Sequence, residues 1–244
     1  MESFAAKSIY KSFRHPGNGA LEVLHDVSLQ CMRGEFLGII GPNGCGKTTL
    51  LKMMAGIAEP DSGEAKIYGK PARSAEVGYV PQQGSSSLCN WLSVEGNLAF
   101  AAKASNARTV QATLDEFSLR PYSRFYPYQL SGGLRQLASI ACASLASSDS
   151  FIFDEPLGAL DYQNRALVEN ALLKLREAGA SAIMVSHDIE STVLLCDRIA
   201  VLTPKPACIK AFVSIGLPKK RMVGTRFTPE FASAAREIYY ILVG

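Results

Sequence analysis

Gly41-Pro-Asn-Gly-Cys-Gly-Lys47-Thr48, placed directly after the apolar run Phe36 to Ile40 (FLGII), is the stretch on which the fold turns. A short apolar run bounded by glycines reads as a buried strand. The segment that follows, Thr48 to Ile57 (TTLLKMMAGI), has helix formers at apolar spacing and a stop at Gly56 ahead of Pro60. Between strand and helix, the pattern GxxxxGK[ST] predicts a phosphate cradle. Gly41, Pro42, Asn43, Gly44, Cys45 and Gly46 form a tight turn whose N–H groups point inward, and the helix N-terminus adds its positive dipole end. Lys47 is expected to reach the β and γ phosphates of ATP, Thr48 to hold Mg²⁺ through its hydroxyl, and Thr49 to help line the pocket. Cys45 fills a free position and reads as an inert loop thiol.

Working outward, Leu21 to Gln30 alternates apolar and polar residues as a strand does, and Val77–Val80, Phe151–Phe153, Ala182–Val185 and Ile199–Leu202 read as short buried strands. Helical patterns before or between most of them predict a mainly parallel sheet. Strand signals vanish from Gln82 to about Ala146, where Val94–Ala104 and Ala107–Phe117 have helical periodicity, so an inserted helical subdomain is expected. Ser150-Phe-Ile-Phe-Asp154-Glu155 ends one apolar strand in two carboxylates, where a parallel sheet presents its ligands. Asp154 is expected to bind Mg²⁺, and Glu155 to orient or deprotonate the attacking water.

Composition narrows the setting. The 244 residues are 48% hydrophobic, ample for a buried core, and 25 Lys plus Arg against 22 Asp plus Glu give no mandate for a polyanion partner. No nucleic acid is expected. Six scattered cysteines without CxxC pairing suit a reducing, cytosolic setting. No run approaches the roughly 20 apolar residues of a membrane-spanning helix, and MESFAAKSIYKSF lacks a signal-peptide core, so any membrane role is expected to come from a partner.

Leu130-Ser131-Gly132-Gly133-Leu134-Arg135-Gln136 resembles the LSGGxRQ signature of ABC ATPases, and a serine and two glycines opening a helix make a second anion-binding nest. The resemblance, from about Ser8 to Leu202, implies an α/β P-loop NTPase (RecA-like) fold with a mainly parallel sheet. An N-terminal antiparallel β subdomain and an inserted signature subdomain complete it. It implies a single ABC ATPase domain over 1–244, with a nucleotide-binding core at 1–82 and 147–244 and the helical part at 83–146. Ser131, Gly132, Gly133 and Gln136 would meet the ATP of a partner subunit in a head-to-tail dimer. Gly158-Ala-Leu-Asp161 resembles the D-loop that crosses that interface, and His187 in VSHD resembles the switch histidine of the γ phosphate. Phe13 resembles the aromatic that stacks on adenine, with Tyr10 as competitor. Gln82 resembles the Gln that links Mg²⁺ to the helical part, with Gln83 as fallback; Pro81 departs from the residue usual before it. Leu137 and Cys142 stand where the family commonly carries arginines.

A single cassette resembles the separately encoded ATPase of bacterial importers: a homodimer or paired ABC subunit, peripheral on the cytoplasmic face, serving an integral membrane permease and a solute-binding protein. Asn90 to Asn97 lies where importer cassettes receive the permease's coupling helix; Trp91 would anchor that contact or belong to the core. Leu217-Pro218-Lys219-Lys220-Arg221 and an amphipathic helix from about Pro229 resemble the nitrate, sulfonate, taurine and aliphatic-amine branch. The basic cluster Lys219 to Arg226 reads as a solvated face or a contact for acidic lipid. An exporter cassette and a soluble ABC ATPase are the competing functions; a non-hydrolysing cassette would lack Lys47, Glu155 or His187, all of which are retained.

Overall fold

Each strand of the main sheet carries apolar side chains on both faces, and the computed structural model shows what covers them. It describes residues 1–15, 19–82, 87–102, 109–147 and 149–244; Gln83 lies outside the described residues, as do the ends of the two expected helices at 103–104 and 107–108. The sheet joins β3 (Phe36–Ile40), β6 (Gly78–Val80), β7 (Ser150–Asp154), β8 (Ser181–Val185), β9 (Arg198–Leu202) and β10 (Ile209–Ser214) in the order β10-β9-β3-β8-β7-β6. All neighbours are parallel except β10, which runs antiparallel to β9 at the edge. Side chains alternate between two buried clusters: Phe36, Ile40, Phe151, Phe153, Ala182 and Met184 face one, and Leu37, Ile39, Ile152, Ile183 and Val185 the other. Burial on both faces is why these strands read as unbroken apolar runs.

The second cluster is closed by an antiparallel sheet of β1 (Glu2–His15), β2 (Gly19–Met32), β4 (Ser62–Ile67) and β5 (Lys70–Pro71), in the order β2-β1-β4-β5. Between the sheets lies α1 (Lys47–Met54), which contributes Leu50, Leu51, Met53 and Met54 and ends at Gly56 in the left-handed region, φ 71°. The mainly parallel sheet and the N-terminal antiparallel sheet are both as expected.

The first cluster is covered by α2 (Val94–Ala101), α3 (Val110–Glu116), α4 (Gly132–Ala146), α5 (Tyr162–Glu177), α6 (Ile189–Leu195) and α7 (Pro229–Val243). Among the described residues no strand interrupts the chain between Val80 and Ser150. Each of these six helices opens on a Ser, Thr or Asp whose side chain accepts a first-turn N–H: Ser93, Thr109, Ser131, Asp161, Asp188 and Thr228. Leu137 is buried on the core side of α4, where an apolar residue packs without a charge to satisfy. Among the described residues no helix is long and apolar enough to cross a membrane.

Neither reading of the basic cluster holds for its arginines. Arg221 is buried and donates to the Val193, Leu194 and Cys196 carbonyls at the end of α6, while Arg226 clasps the buried Glu169 with two donors. Internal partners consume both charges; Lys219 and Lys220 are left exposed.

Candidate nucleotide-binding and catalytic site

Each of the five parallel strands is followed at its carboxyl end by polar residues that gather in one region, the place where such sheets collect ligands. After β3 comes the turn 41–46; after β6, Gln82; at the end of β7, Asp154 and Glu155; after β8, His187; after β9, Lys205. Together with Phe13 of β1 and Leu21 and Val23 of β2, these segments enclose a cleft of about 620 Å³ lined by Asn43, Gly44, Gly46, Lys47, Thr48, Thr49, Gln82, Glu155, His187 and Lys205.

The turn differs from the starts of the other six described α-helices. Gly46 precedes α1 with φ 119° and no side chain caps the helix, so its first amides are left for an incoming anion. A Cβ on Gly46 would lie 2.7 Å from Val23 Cγ1, so close approach of β2 as well as the backbone angle requires glycine there. Lys47 is buried and its ammonium donates to the carbonyls of Gly41 and Pro42 at 2.9 and 3.0 Å, which holds the charge at the mouth of the turn. Cys45 is buried, and burial pushes its thiol pKa up.

Thr48 Oγ1 donates to Asp154 Oδ1 at 3.1 Å, joining α1 to the end of β7. Asp154 is buried; desolvation raises its pKa, assisted by the nearby charge of Glu155 and opposed by the Thr48 hydrogen bond. A desolvated carboxylate beside a hydroxyl is a hard-oxygen pair that a cation would stabilise. It suits Mg²⁺, which takes one or two protein oxygens and completes its shell with water and phosphate. No cluster of three or more His, Cys, Asp or Glu that could hold a metal exists among the described residues.

Glu155 is the focus of the cleft. Gln82 Nε2 donates to its Oε2 at 3.1 Å, and His187 Nδ1 lies 3.2 Å from the same oxygen. Its backbone has φ 48°, a left-handed conformation costly for a non-glycine residue, fixed by hydrogen bonds from its N–H to the Val185 carbonyl and from the Gly158 N–H to its own carbonyl. Phe13, 47% exposed, presents a ring at the cleft edge with Lys11 Nζ 5.7 Å from its centroid. Tyr10 instead packs edge-on against His25 and is not among the lining residues.

The signature residues and Asp161 stand apart from this cleft. Ser131 and Gly132 are exposed at the start of α4, Gly133 is buried, and Gln136 is turned into the core with its Nε2 unpaired among the described residues. Asp161 caps α5, and the Asn164 backbone and side-chain hydrogen bonds hold its carboxyl below the usual range. Trp91 is 76% exposed, which removes its core reading. Leu21, Val23 and Lys205 line the cleft without having been anticipated as site residues. The alternation of β2 could have pointed to the first two, whereas Lys205 lies in a connection without any recognisable pattern.

A family model described as "ABC transporter" matches residues 24–158. The chain is 34% identical to a taurine import ATP-binding protein of Roseobacter denitrificans, over 98% of this chain and 93% of that one. It is 35% identical to an aliphatic sulfonates import ATP-binding protein of Bacillus licheniformis, over 91% and 88%. A nitrate import ATP-binding protein of Synechococcus elongatus is 33% identical over 98% of this chain and 38% of its own length. Among solved structures, an ATP-binding cassette captured as a dimer in a post-hydrolysis state with ADP and phosphate superimposes with a TM-score of 0.73. That likeness has 26% identity and covers 86% of this chain and 98% of the other.

Proposed function

The chain belongs to the ABC transporter family, and from that premise we propose that it is the Mg·ATP-hydrolysing subunit of a bacterial importer for a small anion or sulfonate-like solute. The observation that carries the chemistry is the convergence of Gln82 and His187 on one oxygen of Glu155, in a cleft that also holds Lys47 and Thr48.

In this reading Phe13 stacks on adenine, the amides of residues 41–46 and the Lys47 ammonium cradle the phosphates, and Thr49 completes the lining. Thr48, Asp154 and Gln82 would hold Mg²⁺, which when bound would neutralise negative charge developing on the phosphates. Glu155 orients and deprotonates the attacking water while His187 contacts the γ phosphate. Such a transfer asks the protein chiefly for positioning and charge stabilisation, and the strained, doubly hydrogen-bonded backbone of Glu155 provides the first.

The exposed start of α4 completes a second site across a head-to-tail homodimer or pair. There Ser131, Gly132 and Gly133 meet the partner's ATP, Gln136 supports them from the core, and Asp161 lies at the crossing. The helical part at 83–146 carries this surface and receives an integral membrane permease near Trp91; a solute-binding protein delivers the cargo. The chain then sits peripherally on the cytoplasmic face. Closure on two ATP moves the permease between its access states and hydrolysis resets it.

Purified protein should release phosphate from ATP in the presence of Mg²⁺ and stop when the cation is chelated. Absence of Mg²⁺-dependent turnover, both alone and with a co-expressed permease, would overturn this assignment.

A further inference from the structure

Ser131 and Asp161 belong to different elements, yet one side chain holds both. Asn164, in the first turn of α5, donates from Nδ2 to Asp161 Oδ2 at 2.6 Å, and its Oδ1 lies 3.2 Å from Ser131 Oγ. The amide orientation follows from chemistry, because an ionised carboxylate only accepts, which leaves Oδ1 for the serine. Ser131 Oγ already accepts the Leu134 N–H at 3.3 Å, so its one proton is directed at Asn164. There is no slack at this contact: a Cβ on Gly133 would lie 2.3 Å from Asn164 Oδ1 and 2.6 Å from its Cβ. The second signature glycine is therefore needed within its own protomer, to let α4 and α5 meet at Asn164.

We propose that Asn164 is a positioning residue that locks Ser131 to Asp161, so that the signature and the D-loop of one protomer move as a single unit toward the partner's nucleotide. This rests on the sandwich-dimer reading above. Asn164 touches neither the protomer's own cleft nor its Mg²⁺ ligands, so its effect falls on assembly and not on nucleotide capture.

The experiment measures Mg·ATP-driven dimerisation, in the Glu155→Gln background, for Asn164→Ala, Ser131→Ala and the pair. Binding of a fluorescent ATP analogue to dilute monomer is measured in parallel. Asn164→Ala retains the backbone N–H that caps against Asp161 and should leave analogue binding within about twofold. It should raise the concentration for half-dimerisation about five- to tenfold, the factor carried by one net hydrogen bond. If the residue acts through Ser131, the double variant is no weaker than Ser131→Ala alone. Asn164→Asp, nearly isosteric at the Gly133 contact, keeps an acceptor for Ser131 but replaces the donor to Asp161 with a second carboxylate, and should weaken dimerisation at least as much as the alanine variant. An unchanged midpoint in both variants, or additive losses in the pair, overturns the proposal. A parent that does not dimerise at all overturns the sandwich reading and this inference with it.

Discussion

His187 Nδ1 lies 3.2 Å from Glu155 Oε2, although the two residues end different strands and are separated by the whole of α5 and β8. Gln82 donates to the same oxygen, and in the proposed mechanism this cluster marks where the attacking water would sit. Replacing Glu155 by Gln keeps the size and the hydrogen bonds but removes the base. Steady-state phosphate release should fall by at least about a hundredfold, the contribution of a general base, with nucleotide affinity retained. Hydrolysis at the parental rate would remove Glu155 from the chemistry.

Lys47 should separate from Glu155 in the same assays. Its ammonium is held at the mouth of the turn by two carbonyls, so in the proposed cradle Lys47→Ala removes a charge-assisted donor to the phosphates. Nucleotide affinity should fall about ten- to a hundredfold, as expected for hydrogen bonds to a charged group. Titration with a fluorescent ATP analogue measures it.

Gly46→Ala tests the cradle's geometry without touching its charge. The φ of 119° and the 2.7 Å approach to Val23 Cγ1 oppose any Cβ, so the variant should lose about 1–3 kcal/mol of stability and most nucleotide binding. Thermal melting with and without ATP reads both effects, and a parental melt with normal binding would contradict the strain argument.

Arg226→Ala addresses the C-terminal segment. Glu169 is 0% exposed, and Arg226 donates to it from both terminal nitrogens, with Ser191 as a further donor. Leaving that carboxylate unpaired should cost about 3–5 kcal/mol, seen as a lower denaturant midpoint, whereas pairing the change with Glu169→Leu should recover much of it.

Much of this architecture was legible because the parallel strands are buried on both faces, which makes FLGII and SFIFD continuous apolar runs beside turns of unmistakable chemistry. β1 was harder. Register slips around Ser8 and Asp26, both with left-handed φ, break the alternation that marks an antiparallel strand, so ESFAAKSIYKSFRH shows no clean period of two. The roles of Arg221 and Arg226 were hidden for another reason: a basic run looks solvated until the helix end and the buried Glu169 that neutralise it are brought there by the fold. Asn164 was illegible because its two partners are Ser131, 33 residues away, and Asp161, which alone reads as an ordinary helix cap.

ATP should close two copies of this chain on each other, and the Glu155→Gln protein tests this most directly. Size-exclusion chromatography with light scattering should show Mg·ATP converting monomers into dimers while ADP does not. A monomer that binds ATP and stays monomeric at high protein concentration would contradict the sandwich.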